Sequence, residues 1–323
     1  MASDFGTLAI PRHFQDEDVN LDALLPHVPN RSFHDERSLP ASWPAEVHGI
    51  ITDYLRVRDE TFDLMPGVRV LSFAGTGVSD WIDVPAATRR GIAVCNVPDW
   101  GNDSIAEFTF GLILAVAKKL LPSHAMALQT VWPEEELRSL ELRGMTIGLV
   151  GLGNIGLLVA EIAQGFGLTV LAYTQNPGRP RRATSARVEF VALDELLRRS
   201  NILSLHCKLT DETRGLIGAR ELALLPPRAI LVNTARGPVV DTAALVAALK
   251  SGTLWGAGLD VFDQEPLPEQ HPLKGLPNVV LAPHVAGQTD TARRKLYAST
   301  VSNIDAFVAG NPVNFVNPEV LRR

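Results

Sequence analysis

The chain has 323 residues, 46% of them hydrophobic and 20% charged, with a formal net charge of −6. That is an ordinary globular composition, long enough for two domains, without the positive excess needed to neutralise a nucleic-acid backbone or an anionic membrane. Apolar runs such as 108–116 are broken well short of a bilayer span and the N-terminus lacks a basic-then-apolar signal, so neither nucleic acid nor membrane is an expected partner and the expected location is cytoplasmic.

In chain order, short apolar runs at 8–10, 47–52, 68–74 and 92–97 predict strands, alternating with helical stretches such as 84–90. This is the pattern of a small parallel α/β unit. Ser104, with Glu107 three residues later, reads as a capping box opening a long helix to about Leu121, the expected connection between domains. Strand patterns return at 146–150, 169–173, 202–206, 230–233, 255–259 and 279–282, with helical patterns at 155–166, 194–199 and 242–250. They predict a doubly wound parallel sheet. A last helix, 290–308, is placed to return the chain to the first domain and make that domain discontinuous. The two cysteines, Cys95 and Cys207, fall in apolar runs with no partner at metal-ligand spacing; they read as core residues in a reducing compartment, and no metal site is expected.

Between the strand 146–150 and its following helix stands Gly151-Leu152-Gly153-Asn154-Ile155-Gly156, a G-x-G-x-x-G in the strand-to-helix context that dinucleotide binding requires. Gly151 allows the tight turn, Gly153 the approach of a pyrophosphate and Gly156 close helix packing, while Asn154 and Ile155 open a helix whose free N–H groups and dipole favour phosphate. The next strand ends Tyr173-Thr174-Gln175, without the carboxylate that usually binds the ribose diol. Arg179, Arg181 and Arg182 follow and would suit a 2′-phosphate. The expected cofactor is therefore NAD(P), with NADP modestly favoured over NAD.

Four blocks then stand in order: Ala74-Gly75-Thr76-Gly77-Val78, the 151–156 loop, Val232-Asn233-Thr234-Ala235-Arg236-Gly237, and Gly258-Leu259-Asp260-Val261-Phe262-Asp263-Gln264-Glu265-Pro266 followed by Ala282-Pro283-His284. In these blocks the sequence resembles the D-isomer-specific 2-hydroxyacid dehydrogenase family, in its glyoxylate/hydroxypyruvate reductase-like branch. The resemblance implies a Rossmann nucleotide domain, residues 102–285, inserted into a smaller flavodoxin-like substrate domain, residues 1–101 plus 286–323, and a homodimer. It also implies Arg236, Glu265 and His284 as the catalytic set, a substrate carboxylate held on backbone N–H groups of Gly75, Thr76, Gly77 and Val78, and Thr234 and Asp260 beside the nicotinamide carboxamide.

The chemistry accounts for these residue types. Reducing a 2-keto acid needs a cation on the carboxylate, a proton donor for the oxygen and a hydride donor across the carbon. Arg236 offers a planar fork, His284 an imidazole that can give or take a proton, and a carboxylate at Glu265 favours the protonated ring. Formate dehydrogenases, which resemble this scaffold, pair their His with Gln, so Glu265 favours carbonyl reduction. Several phosphoglycerate dehydrogenases carry Arg before Ala-Gly-x-Gly; Phe73 stands here, which disfavours a phosphorylated substrate. The expected function is hydride transfer between NAD(P)H and a small 2-keto or 2-hydroxy acid. The alternative is a dinucleotide-sensing, corepressor-like interaction protein with little turnover.

Overall fold

The computed structural model describes residues 5–15, 19–28, 30–35, 40–129, 137–176, 178 and 182–322. The chain divides into two compact units, Met1–Gly101 with Thr289–Arg323, and Asn102–Gln288, so that 286–288 go with the second.

In the first unit five strands, β1 (Thr7–Pro11), β2 (Asn30–His34), β3 (Val47–Thr52), β4 (Val70–Phe73) and β5 (Ala93–Cys95), form one parallel sheet ordered β2-β1-β3-β4-β5. Helices α1 (Leu21–Leu24) and α2 (Val84–Arg89) interrupt them. This is the flavodoxin-like order, reversing its winding between β1 and β3. The alternation of side chains along a strand builds two apolar layers. Ala9, Ile50, Leu71 and Val94 pack with Ala86 and Ala87 of α2 on one face, and Leu8, Ile10, Ile51 and Val70 form the other.

In the second unit, α3 (Asn102–Ala117) and α4 (Leu120–Leu128) lead into a parallel sheet of seven strands. The order of its elements is β6 (Thr146–Val150), α5 (Asn154–Gly165), β7 (Thr169–Tyr173), β8 (Glu189–Phe190), α6 (Leu193–Arg199), β9 (Ile202–Leu205), α7 (Ala219–Leu224), β10 (Ala229–Asn233), α8 (Thr242–Lys250), β11 (Leu254–Leu259) and β12 (Val279–Leu281). Their spatial order, β12-β11-β10-β9-β6-β7-β8, is doubly wound, with the switch between β6 and β9. Ile147, Leu149, Ile230 and Val232 face Ile113 of α3 and Leu157 of α5; Leu203, Leu205 and Leu231 face Leu196, Leu222 and Leu245 of α6, α7 and α8. Burial on both faces explains why β10 reads as an unbroken apolar run. Helix α9 (Asp290–Val308) belongs to the first unit and lays Leu296, Tyr297, Val301 and Ile304 on the Leu8 face.

The structure departs from the sequence expectations at several places. The long helix begins at Asn102, and Ser104 is buried inside it, with its hydroxyl donating to the Ala286 carbonyl at 2.6 Å instead of capping the helix. The helix ends at Ala117, because Lys119 takes a left-handed φ of 51° and α4 starts afresh. Strands β2 and β8 carried no apolar run: both are edge strands, half-buried or exposed, with one partner each. Of the cysteines, Cys95 is buried in β5, and Cys207 lies just past β9 and is only partly buried.

Candidate active site

Parallel strands bring the loops that follow them to one edge of a sheet, and ligands of such sheets bind there, at the switch in strand order. In the second unit the 151–156 loop follows β6 and lies against the segment after β9. Gly151 has φ +97°, and a Cβ on it would fall 2.7 Å from the Cys207 nitrogen. A Cβ on Gly156 would fall 2.6 Å from the Gly151 carbonyl oxygen, so close helix packing requires glycine there as well. Gly153 is the N-cap of α5 and has open space where a side chain would stand. Beside it Asn154 is exposed and Ile155 half-buried. A helix N-terminus with open space beside Gly153 fits the pyrophosphate of a dinucleotide.

Three residues past the end of β10 lies Arg236, half-buried and held by its own motif. Buried Asn233 accepts from the Ala235 N–H at 3.0 Å and donates to the Arg236 carbonyl at 2.9 Å, and the Arg236 guanidinium donates to the Ala235 carbonyl at 2.8 Å. Gly237 follows because a Cβ there would overlap the Phe262 backbone, at 1.9 Å from its carbonyl carbon. Contact between these turns sets the 262–265 loop beside Arg236, whose charge acts on Glu265. Thr234 pairs with Thr109 of α3, hydroxyl to hydroxyl at 3.0 Å; since Thr109 donates to the Ile105 carbonyl, the Thr234 hydroxyl is the donor of that pair. Its remaining lone pairs can only accept.

Glu265 and His284 meet at 2.8 Å, carboxylate Oε2 to ring Nδ1, while Glu265 Oε1 accepts from the Phe262 N–H at 2.9 Å. The Glu265–Pro266 peptide is cis. Burial pushes the Glu265 carboxyl up, but hydrogen bonds from His284 and the Phe262 N–H, with the charges of His284 and Arg236, outweigh it and hold the group below its ordinary range. An ionised carboxylate only accepts, so Nδ1 carries a hydrogen and Nε2 is left for transferable chemistry. The His284 side chain is 50% exposed, and its φ of 58° is left-handed.

That conformation is fixed by Asp260, at the end of β11. Its carbonyl accepts from the His284 N–H at 2.8 Å, and its two carboxylate oxygens accept from Val285 and Ala286 N–H groups at 2.8 and 2.9 Å. Asp260 is 1% exposed, and burial raises its pKa in spite of both bonds. Asp260, expected beside the nicotinamide, thus has a use that its motif does not signal. Thr109 and Asn233 are further residues of the site that no sequence motif marks by role, although Asn233 stands in the motif of Arg236.

In the first unit Gly75, Thr76, Gly77 and Val78 follow β4. The Gly75 N–H donates to the Phe73 carbonyl at 2.9 Å and the Val78 N–H to the Thr76 carbonyl at 3.1 Å. Two of the four expected anion donors are thus spent inside the turn. Phe73, where a phosphate-binding arginine would stand, is buried and stacks on Trp81. Back in the second unit, Thr174 follows β7 and accepts from the Asn176 N–H at 3.4 Å. Arg179 and Arg181 lie outside the described residues, and Arg182 pairs with Glu161 at 2.8 Å.

Residues 110–286 match the family model of the D-isomer specific 2-hydroxyacid dehydrogenase NAD-binding domain. A glyoxylate reductase of Thermofilum pendens is 43% identical over 84% of this chain and 81% of its own. Among solved structures, an NADPH-dependent glyoxylate/hydroxypyruvate reductase of Sinorhizobium meliloti in complex with citrate superposes with a TM-score of 0.81 at 30% identity, covering 97% of this chain and 99% of that one. A D-lactate dehydrogenase of Aquifex aeolicus complexed with NAD and lactic acid gives 0.83 at 28% identity, with 96% and 99% covered. The chain belongs to the D-isomer-specific 2-hydroxyacid dehydrogenase family, as an oxidoreductase acting on CH–OH groups with a nicotinamide cofactor and a small hydroxy- or keto-acid substrate.

Proposed function

We propose that this protein reduces a small unphosphorylated 2-keto acid, of the glyoxylate or hydroxypyruvate class, through Arg236, Glu265 and His284. The observation that carries this reading is the His284–Glu265 pair at 2.8 Å, within reach of the Arg236 charge. When bound on the 151–156 loop, the nicotinamide cofactor supplies the hydride. The Arg236 guanidinium clamps the carboxylate and polarises the neighbouring carbonyl. His284 delivers the Nε2 proton to the carbonyl oxygen as it becomes a hydroxyl, and Glu265 favours the charged ring that this step consumes. Thr76 and Gly77 supply backbone N–H donors to the substrate carboxylate. With the cofactor bound, the Thr234 oxygen would serve as an acceptor for its carboxamide, with Asp260 nearby. The interaction-protein alternative is not favoured, since the relatives of comparable similarity are named as reductases and dehydrogenases.

NADPH is accepted and modestly preferred. The support is Thr174, whose hydroxyl puts no negative charge against a 2′-phosphate. Arg182, paired with Glu161, supports it less than a free guanidinium would; Arg179 completes the set on sequence grounds alone. The protein works as a homodimer, and exposure of Leu120, Leu121 and Leu128 on α4, at 51%, 52% and 74%, supports a covered face there. Two free cysteines fit the cytoplasm. A panel of 2-keto acids against NADH and NADPH tests the activity, with light scattering for the dimer. No turnover on any unphosphorylated keto acid, or a phosphorylated one preferred, would overturn the reading.

A further inference from the structure

The 75–78 turn is held from one side, by the two residues that follow β5. The Val97 N–H donates to the Gly75 carbonyl at 2.9 Å, and the Asn96 side-chain amide donates to the Thr76 carbonyl at 2.8 Å. The Thr76 hydroxyl donates to the Val97 carbonyl at 3.0 Å. A trans peptide is planar, with its C=O and N–H on opposite sides. Holding the Gly75 carbonyl therefore turns the Thr76 N–H away from residues 96–97, and holding the Thr76 carbonyl turns the Gly77 N–H the same way. These are the two N–H groups of the turn that no carbonyl takes among the described residues. Successive N–H groups on one side make an anion nest.

Main chain anchors the first of these peptides, but the second depends on a particular side chain. Asn96 is fixed in turn by its neighbours. Its N–H donates to the Asn314 carbonyl at 3.1 Å, and its carbonyl accepts from the amide of buried Asn303 at 3.0 Å, which itself accepts from the Asn314 amide at 2.9 Å. We propose that Asn96 is a positioning residue for substrate binding: by holding the Thr76 carbonyl, its amide aims the Gly77 N–H at the substrate carboxylate. The proposal rests on the reading of this turn as the carboxylate site. Among the described residues no other side chain donates to that carbonyl, whose second partner, the Val78 N–H, belongs to the bent turn itself.

The test compares wild type with Asn96→Asp, which keeps the size but not the donor, and with Asn96→Ala. Each is assayed with glyoxylate and with methylglyoxal, a dicarbonyl without a carboxylate. One neutral hydrogen bond corresponds to about a fivefold change in binding. KM for glyoxylate should rise about fivefold in Asn96→Ala and further in Asn96→Asp, with kcat within about twofold, because the contact serves ground and transition states alike. Methylglyoxal kinetics should stay within about twofold of wild type. An unchanged KM for glyoxylate, or an equal loss on both substrates, would overturn the proposal. A second measurement follows the Gly77 amide signal in glycine-labelled protein holding NADPH as oxamate, an unreduced keto-acid mimic, is added. It should shift in wild type and shift less in Asn96→Asp. An equal shift in both leaves the carboxylate site standing and removes Asn96 from it; no shift in wild type that binds oxamate means the turn is not the carboxylate site.

Discussion

Replacing Asp260 with Asn removes a charge from the residue that holds the His284 turn. The carboxylate accepts from two backbone N–H groups, at 2.8 and 2.9 Å, and bonds to a charged acceptor are worth about 1.5–3 kcal/mol each. Asparagine has one accepting oxygen, so one of the Val285 and Ala286 N–H groups would face an NH2 and lose its partner. Burial already raises the Asp260 pKa, so a neutral side chain recovers part of that loss by sparing the cost of a buried charge. The net expectation is destabilisation by about 1–3 kcal/mol. The effect on rate should be larger in proportion. His284 holds φ 58°, a left-handed backbone that costs a residue with a Cβ about 1–2 kcal/mol, and without its clamp the turn relaxes. Misplacing a reacting group by about 1 Å costs up to about a hundredfold in rate, so kcat should fall about 10- to 100-fold. Urea unfolding of the cofactor-free protein and kcat at saturating substrates measure the two effects. A variant matching wild type in both midpoint and kcat would refute the argument that Asp260 holds the imidazole in place.

Arg236→Lys keeps the charge but loses the fork, and should cost about 1.5–3 kcal/mol of transition-state stabilisation, read as kcat/KM for every keto acid; an unchanged kcat/KM removes Arg236 from the site. In Glu265→Gln the anion held below its ordinary range beside His284 is gone, so the alkaline limb of the reduction profile should move to lower pH; an unshifted limb would mean that Glu265 does not tune the acid. Thr174→Asp should turn cofactor preference toward NADH, and a wild type more than about tenfold better with NADH, a gap of about 1.4 kcal/mol, would sink the NADP reading. His206 pairs with Ser204 at 2.8 Å, and desolvation lowers its pKa from 6.5 to about 4. The unfolded chain then takes up this proton first, so stability should be lost as pH falls from 6.5 towards 4, by up to about 3 kcal/mol. Urea midpoints between pH 7.5 and 4.5 should fall more steeply in wild type than in His206→Asn, and parallel curves would show that the ring does not carry the effect.

The sequence by itself determined the two α/β layers, because strands buried on both faces read as apolar runs, as β6 and β10 do. It also marked Gly151, Gly156, Arg236, Glu265 and His284, whose local motifs carry their own reasons: a turn with φ +97°, a helix that tolerates no Cβ, a carboxylate and an imidazole after successive strands. Edge strands escaped it, since β2 and β8 bury little and need no apolar alternation. Ser104 misled it, because a hydroxyl followed by Glu107 looks the same whether it caps a helix or donates to Ala286, a partner 182 residues away. Partners that distant were decided only by the tertiary structure. It gave Asp260 to the backbone of the His284 turn, Thr109 to Thr234 and Asn96 to the Thr76 carbonyl. A side chain's hydrogen-bonding capacity can be read from its type, but which distant group fills it depends on where parallel strands bring their loops together.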